Sequence, residues 1–153
     1  MQTIDDSDRR LLRQLQAAHD LSVAELAERA GMSAGTASRR LERLQRAGII
    51  KGYEAVIDWR ALGYGVEVSL RVALDKTQGN AFDAFIAAAR QIPEVLEIQT
   101  FLGQVDVRLN VIARDMAHYQ EIYRERILGL PHIADIEALM LVKDVKNTEA
   151  LPL

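Results

Sequence analysis

Along the first fifty positions the apolar residues recur at helical intervals. Leu11, Leu12 and Leu15 share one side of a stretch from Asp5 to about Ala18, with acids at its start, where the helix macrodipole favours them. Ser22 and Glu25 then have capping-box spacing, and Leu21 can staple onto Leu26. Gly31 offers a stop tolerant of positive φ, which predicts a second helix of about two turns. Ser33 offers a fresh N-cap and Gly48 a second stop, so a third helix is expected between them. Three short helices, two of them joined by a tight Gly-containing turn, outline a helix-turn-helix domain. Ala27, Gly31 and Ala37 would let its helices cross closely.

Beyond Gly48 the pattern changes. Ile49 to Ile57 reads as a strand, and Asp58 to Gly65 as a connection carrying one tryptophan. From Val66 the period becomes two: Val66, Val68, Leu70, Val72 and Leu74 alternate with Glu67, Ser69, Arg71 and Ala73. A helix from about Ala81 to Arg90 turns Phe82, Phe85, Ile86 and Ala89 inward and finishes before Pro93. Strands are expected at Val95 to Leu102 and Asp106 to Ala113, joined by a turn at Gly103-Gln104-Val105. Asp115 caps a further helix carrying Tyr119, Ile122, Tyr123 and Ile127, and Ile136 to Val145 is the last strand. Ile92-Pro93-Glu94-Val95 followed by Ile98 is echoed by Leu130-Pro131-His132-Ile133 followed by Ile136, at a constant offset of 38 residues. The repeated βαβ order predicts a ferredoxin-like βαββαβ sandwich.

The expected architecture is therefore α+β. A helix-turn-helix domain occupies 1–52, a hinge strand and linker 53–65, and a ferredoxin-like domain for ligand binding and dimerisation 66–153. Two helices cover only one face of a four-stranded sheet. Strand four has Leu139, Leu141 and Val145 on the side opposite Ile136, Ala138, Met140 and Val142, so a second copy is expected to cover an apolar open face.

Charge sharpens this division. The chain of 153 residues carries a formal net charge of -3. Yet residues 1–52 hold nine Arg/Lys against seven Asp/Glu, while the rest hold ten against fifteen. On a helical wheel, Ala34, Ala37, Leu41 and Leu44 fall on one side of the third helix. Gly35, Thr36, Arg39, Arg43 and Arg46 fall on the other, with Arg40 at the border. A cationic stripe on the second helix of such a turn suits a DNA major groove. That geometry assigns Ala34, Gly35, Thr36 and Arg39 to base edges, and Ser33, Arg40, Arg43 and Arg46 mostly to the phosphate backbone of double-stranded DNA. A two-fold dimer would present two such helices to half-sites roughly 34 Å apart.

Other chemistries find little support. The absence of cysteine removes disulfides, thiolate metal sites and thiol nucleophiles, and fits a reducing compartment. The polar N-terminus and the lack of an apolar run of about 18 residues argue for a cytoplasmic location with no membrane partner. His19, His118 and His132 lie far apart. His118 and Glu121, one helical turn apart, lack a third ligand, so no metal or cofactor is expected. No Gly-rich phosphate loop, HExxH or GxSxG occurs.

The chain resembles the Lrp/AsnC, or feast/famine, family of transcription regulators nearly end to end. The resemblance rests on IDDSDRRLL, on LSVAELAERAGMSAGTASRRLERLQRAGIIKGYEAVID, on ALG, and on the closing VKNTEALPL. It implies a winged or simple helix-turn-helix, a hinge strand and an amino-acid-binding βαββαβ domain. It also implies homodimers that associate further, often into octamers, with a small effector, an amino acid, bound between dimers near the turn joining the second and third strands of that domain. At this turn the family often shows G-D-x-D, and Gly103-Gln104-Val105-Asp106 keeps the Gly and the final Asp. Glycine lets a ligand approach the backbone, and the carboxylate can pair with an α-ammonium group. The reading that follows is a DNA-binding regulator, not an enzyme. Its alternative is a tetrapyrrole decarboxylase of the same fold, which would need histidines converging on a porphyrin-sized cleft.

Overall fold

The computed structural model describes residues 3–18, 20–147 and 150–153. His19 and the Thr148-Glu149 pair of the closing stretch lie outside the described residues. Two compact units form, one from Met1–Val56 with Lys146–Leu153 and the other from Ile57–Val145.

The first unit has three helices: α1 (Asp6–Ala17), α2 (Val23–Ala30) and α3 (Ala34–Arg46). Each begins with a side chain satisfying an orphan N–H. Asp5 and Ser22 form reciprocal capping boxes with Asp8 and Glu25, and Ser33 accepts from the Thr36 N–H. Gly31 closes α2 at φ 70, a left-handed conformation few other residues adopt cheaply. A Cβ there would meet open space, so backbone conformation and not close packing calls for glycine. Leu11, Leu26, Ala27, Ala37, Leu41 and Leu44 form the buried centre. Ala34, expected on the packed side, is exposed. The closing residues belong with this unit. The Leu151 N–H donates to Gln16 Oε1 at 2.6 Å, and Arg13 Nε donates to the Leu153 carbonyl at 2.8 Å.

The second unit runs β1 (Val66–Leu74), α4 (Ala81–Ala89), β2 (Val95–Thr100), β3 (Val107–Ala113), α5 (Met116–Ile122), a π-helical turn (Tyr123–Ile127) and β4 (Ile133–Met140). The sheet order is β2-β3-β1-β4, antiparallel throughout. This is the expected ferredoxin-like sandwich. Val68, Leu70 and Val72 of β1 and Val107, Leu109 and Val111 of β3 face Phe85, Ile122 and Ile127 in a continuous core.

Three expectations are corrected. Ile49 to Ile57 forms no strand: Ile50 packs into the helical core, and residues 51–58 have no regular structure. A strand-like segment needs a neighbouring strand to hydrogen-bond, and none pairs with it among the described residues. β4 lies earlier than expected, at Ile133–Met140, where it pairs with β1 from Leu74 to Val68, and the Leu141 N–H beyond it still donates to the Glu67 carbonyl at 2.9 Å. Finally, the open sheet face is not broadly apolar. Glu67, Ser69, Arg71, Arg108 and Asn110 fill its centre, with pairs Arg108–Glu97 at 3.1 Å and Arg71–Glu137 at 3.7 Å, while Leu139 and Leu141 border it. The inward positions of β1 and β3 take the hydrophobic residues, and the outward positions carry ion pairs.

Phe85 is fully buried. Phe85→Ala is expected to destabilise the protein by about 3 to 5 kcal/mol, read as a lower urea midpoint at unchanged slope. A loss below about 1 kcal/mol would contradict its place at the centre of the core.

Candidate nucleic-acid interface and effector loop

Helix α3 is presented from its N-terminus. The Ser33 hydroxyl accepts from the Thr36 N–H at 3.2 Å and donates to Thr36 Oγ1 at 2.8 Å, which holds the first turn rigid. Ala34, Gly35 and Arg39 are exposed on that turn and the next. On the opposite side Ala37 and Leu44 are fully buried, and Leu41 nearly so. Arg46 is exposed and pairs with Glu42 one turn earlier. The helix is thus anchored along one stripe and open along another.

Two of its four arginines are turned inward. Arg43 Nη2 lies 2.6 Å from both carboxylate oxygens of Asp8. Arg40 Nη1 lies 2.8 Å from Asp8 Oδ1 and 2.8 to 2.9 Å from the Asp5 carboxylate. Asp8 itself is fully buried. Burial pushes its carboxyl up, but bonds from Arg43, Arg40 and the Asp5 N–H outweigh that and hold it down at about 2. Arg40 and Arg43, expected at DNA phosphates, therefore tie α3 to α1 through these carboxylates while remaining partly exposed. The sequence carried a signal for this. Asp8 sits three and seven residues before Leu11 and Leu15, on the apolar stripe of α1, and a charge on that stripe requires a partner.

The turn before β3 shows a second committed carboxylate. Gly103 adopts φ 153, again with open space where a Cβ would be. Gln104 is exposed, Val105 half-buried and Asp106 buried. Asp106 Oδ2 accepts from the Leu74 N–H at 2.9 Å, and its Oδ1 pairs with Lys76 Nζ at 2.7 Å. Its backbone also bridges, donating to the Val72 carbonyl and accepting from the Phe101 N–H, both at 2.9 Å. Burial raises its carboxyl, but Lys76 and the Leu74 N–H leave it below the usual range. Asp106 ties the start of β3 to the end of β1 and has no exposed oxygen pair to offer an ammonium group. The groups of this turn left open to solvent include the Gly103 backbone and the Gln104 side chain.

His118 does not join Glu121 as spacing suggested. Its Nδ1 accepts from the Arg114 N–H at 3.2 Å, and its Nε2 lies 3.9 Å from Glu94, which also pairs with Arg126 at 3.2 Å. Among the described residues no group of three His, Cys, Asp or Glu is placed to hold a metal ion. None of their helices is long and apolar enough to cross a membrane.

Family models match both units. Residues 4–51 fit a winged helix-turn-helix DNA-binding model, and residues 67–151 fit the Lrp/AsnC ligand-binding domain. The chain belongs to the Lrp/AsnC family of transcriptional regulators. It is 34% identical over 142 residues to the proline dehydrogenase transcriptional activator of Rhodobacter capsulatus, covering 93% of this chain and 92% of that one. It is also 34% identical over 151 residues to the regulator Zrp of Zymomonas mobilis, covering 97% of both. A Neisseria meningitidis regulator solved as an L-methionine complex superimposes with a TM-score of 0.91 at 29% identity, covering 98% of this chain and 97% of that chain. AsnC of Escherichia coli superimposes at 0.89 with 25% identity, covering 97% and 99%. These relatives are named as regulators and not as enzymes, so the decarboxylase alternative is set aside.

Asp8→Asn preserves shape and removes the charge. It is expected to cost about 1.5 to 3 kcal/mol at pH 7. Because the folded carboxyl lies below its ordinary value of 3.8, the wild-type advantage is complete above that value and is lost as pH falls through about 2. Urea unfolding of both proteins between pH 7 and pH 2 checks this. An advantage undiminished at pH 2 would show that the charge is not its source.

Proposed function

We propose that this Lrp/AsnC-family regulator binds specific double-stranded DNA through the open side of α3 and adjusts that binding to a small amino acid. The supporting observation is the helix itself: Ala34, Gly35 and Arg39 stand exposed at its N-terminal turns, while its opposite stripe is buried. A helix held this way can enter a major groove with its first residues at base edges. In this reading Ala34, Gly35, Thr36 and Arg39 contact bases, and Ser33 and Arg46 contact the backbone. Arg40 and Arg43 serve as positioning residues, holding the helix at the angle it presents.

The effector is proposed to be an amino acid received at Gly103-Gln104-Val105. Two relatives were solved with L-methionine, the Neisseria regulator and a feast or famine regulatory protein of Mycobacterium tuberculosis. Here the contacts come from the Gly103 backbone and the Gln104 amide, with Asp106 shaping the turn from within. A homodimer completes the proposal. Leu141, Val142 and Val145 follow β4 as exposed apolar residues, and Leu139 and Leu141 border the polar centre of the open face. A second copy would bury this rim, and two recognition helices would then read a palindromic site. Further association into octamers and a cytoplasmic location complete the reading.

Selection of bound sequences from random duplexes, repeated with a panel of amino acids, tests these points together. Arg39→Ala is expected to cost about 1 to 3 kcal/mol on the selected site and little on scrambled DNA. Arg46→Ala should weaken both equally and flatten the salt dependence by about one unit. Identical losses on both duplexes for both variants would contradict the assignment. For the effector, Gln104→Ala is expected to remove the amino-acid-induced shift in DNA affinity, measured by anisotropy, while DNA binding without amino acid stays as in the wild type. A full response in that variant would take Gln104 out of the site.

A further inference from the structure

We infer that Asp5 occupies the place of a DNA phosphate on Arg40 and thereby lowers the affinity of this domain for duplex of any sequence. The inference rests on the DNA-binding reading above and deepens it. Arg40 and Arg43 are not equally committed. Arg43 spends its guanidinium on Asp8, which is fully buried, so withdrawing it would strand a carboxylate away from water. Arg40 shares Nη1 between Asp8, buried, and Asp5, whose side chain is 53% exposed. The Asp8 contact can persist while Asp5 is exchanged for another anion.

Asp5 is well suited to hold that position. Its oxygens lie 2.8 and 2.9 Å from Arg40 Nη1, within the range charge-assisted bonds to carboxylate or phosphate use. It is not a swinging surface carboxylate, because the same side chain caps α1 by accepting from the Asp8 N–H at 2.8 Å. Its carboxyl is kept below the usual range by Arg40 and by that N–H, so it remains an anion throughout the neutral range. Arg39, Ala34 and Gly35 take no part in the cluster. Asp5 thus removes a phosphate contact, common to all sequences, and leaves the base-edge residues untouched. Weaker non-specific binding with unchanged base reading raises the ratio that decides occupancy of a site among competing DNA.

The test uses the full chain and a labelled random-sequence duplex of about 30 base pairs, with affinity followed by anisotropy between about 50 and 200 mM KCl. Asp5→Asn removes the charge and retains a good N-cap, and Asp5→Ser does the same by a different side chain. Both are expected to bind more tightly than wild type, with a salt slope steeper by about 0.9, so the loss across that salt range grows by about 3.5-fold. Asp5→Asn combined with Arg40→Gln should return to the wild-type slope. Asp6→Asn, the same charge change one residue away, should keep the wild-type slope. Unchanged slopes in both Asp5 variants, a gain that survives Arg40→Gln, or an equal gain in Asp6→Asn would each overturn the inference. A wild-type chain that fails to bind duplex at about 50 mM KCl would instead overturn the DNA-binding reading, and this inference with it.

Discussion

The helical unit is organised around one buried carboxylate. Asp8 has no contact with solvent, and its charge is met by Arg43 and Arg40 on α3 and by the Asp5 N–H. An apolar residue of similar size could stabilise the same helix pair about as well, since desolvating a charge offsets much of what its partners return. Direction is what the carboxylate adds. Leucine and alanine packing in the three-helix core tolerates rotation and sliding, whereas an ion cluster with bonds near 2.6 to 2.9 Å does not. Since Ala34, Gly35 and Arg39 lie on the helix thus oriented, the angle at which they meet a partner depends on a residue that need not touch it.

The same arrangement divides the cationic stripe into two kinds of arginine. Arg39 and Arg46 project from the domain, while Arg40 and Arg43 hold it together. Counting positive charges along α3 therefore overstates what is available to a polyanion. The acidic start of α1, which suits the macrodipole of its own helix, also serves as internal counter-charge for another helix.

The sheet unit repeats this use of a buried acid. Asp106 joins the end of β1 to the start of β3 through the Leu74 N–H and Lys76. The residue that a family motif marks for a ligand's ammonium group is here part of the frame that shapes the turn. In the proposed reading, ligand discrimination falls to the exposed Gln104 and the backbone at Gly103. The open sheet face follows the same economy: alternation sends hydrophobic residues to the helix-covered side and leaves paired charges outside.

Much of this was legible without coordinates. Caps at Ser22, Ser33 and Asp115, acids at the start of α1, stops at Gly31 and Gly48, and the period-two run from Val66 are short-range signals, so they place α1 to α3, β1 and the start of α5 to within a residue or two. The 38-residue echo around Pro93 and Pro131 exposed the repeated βαβ order. What depends on distant partners was decided only by tertiary structure. Residues 49–57 are apolar enough to read as a strand but find no strand partner among the described residues, and β4 takes the span, Ile133–Met140, that its register against β1 selects. Which arginines of α3 meet Asp8, more than thirty residues away, and whether Asp106 faces a ligand or Leu74, are likewise questions of which groups the fold brings within about 3 Å. Local sequence sets backbone preference and the buried side of a helix. The pairing of charges across elements is set by how those elements dock.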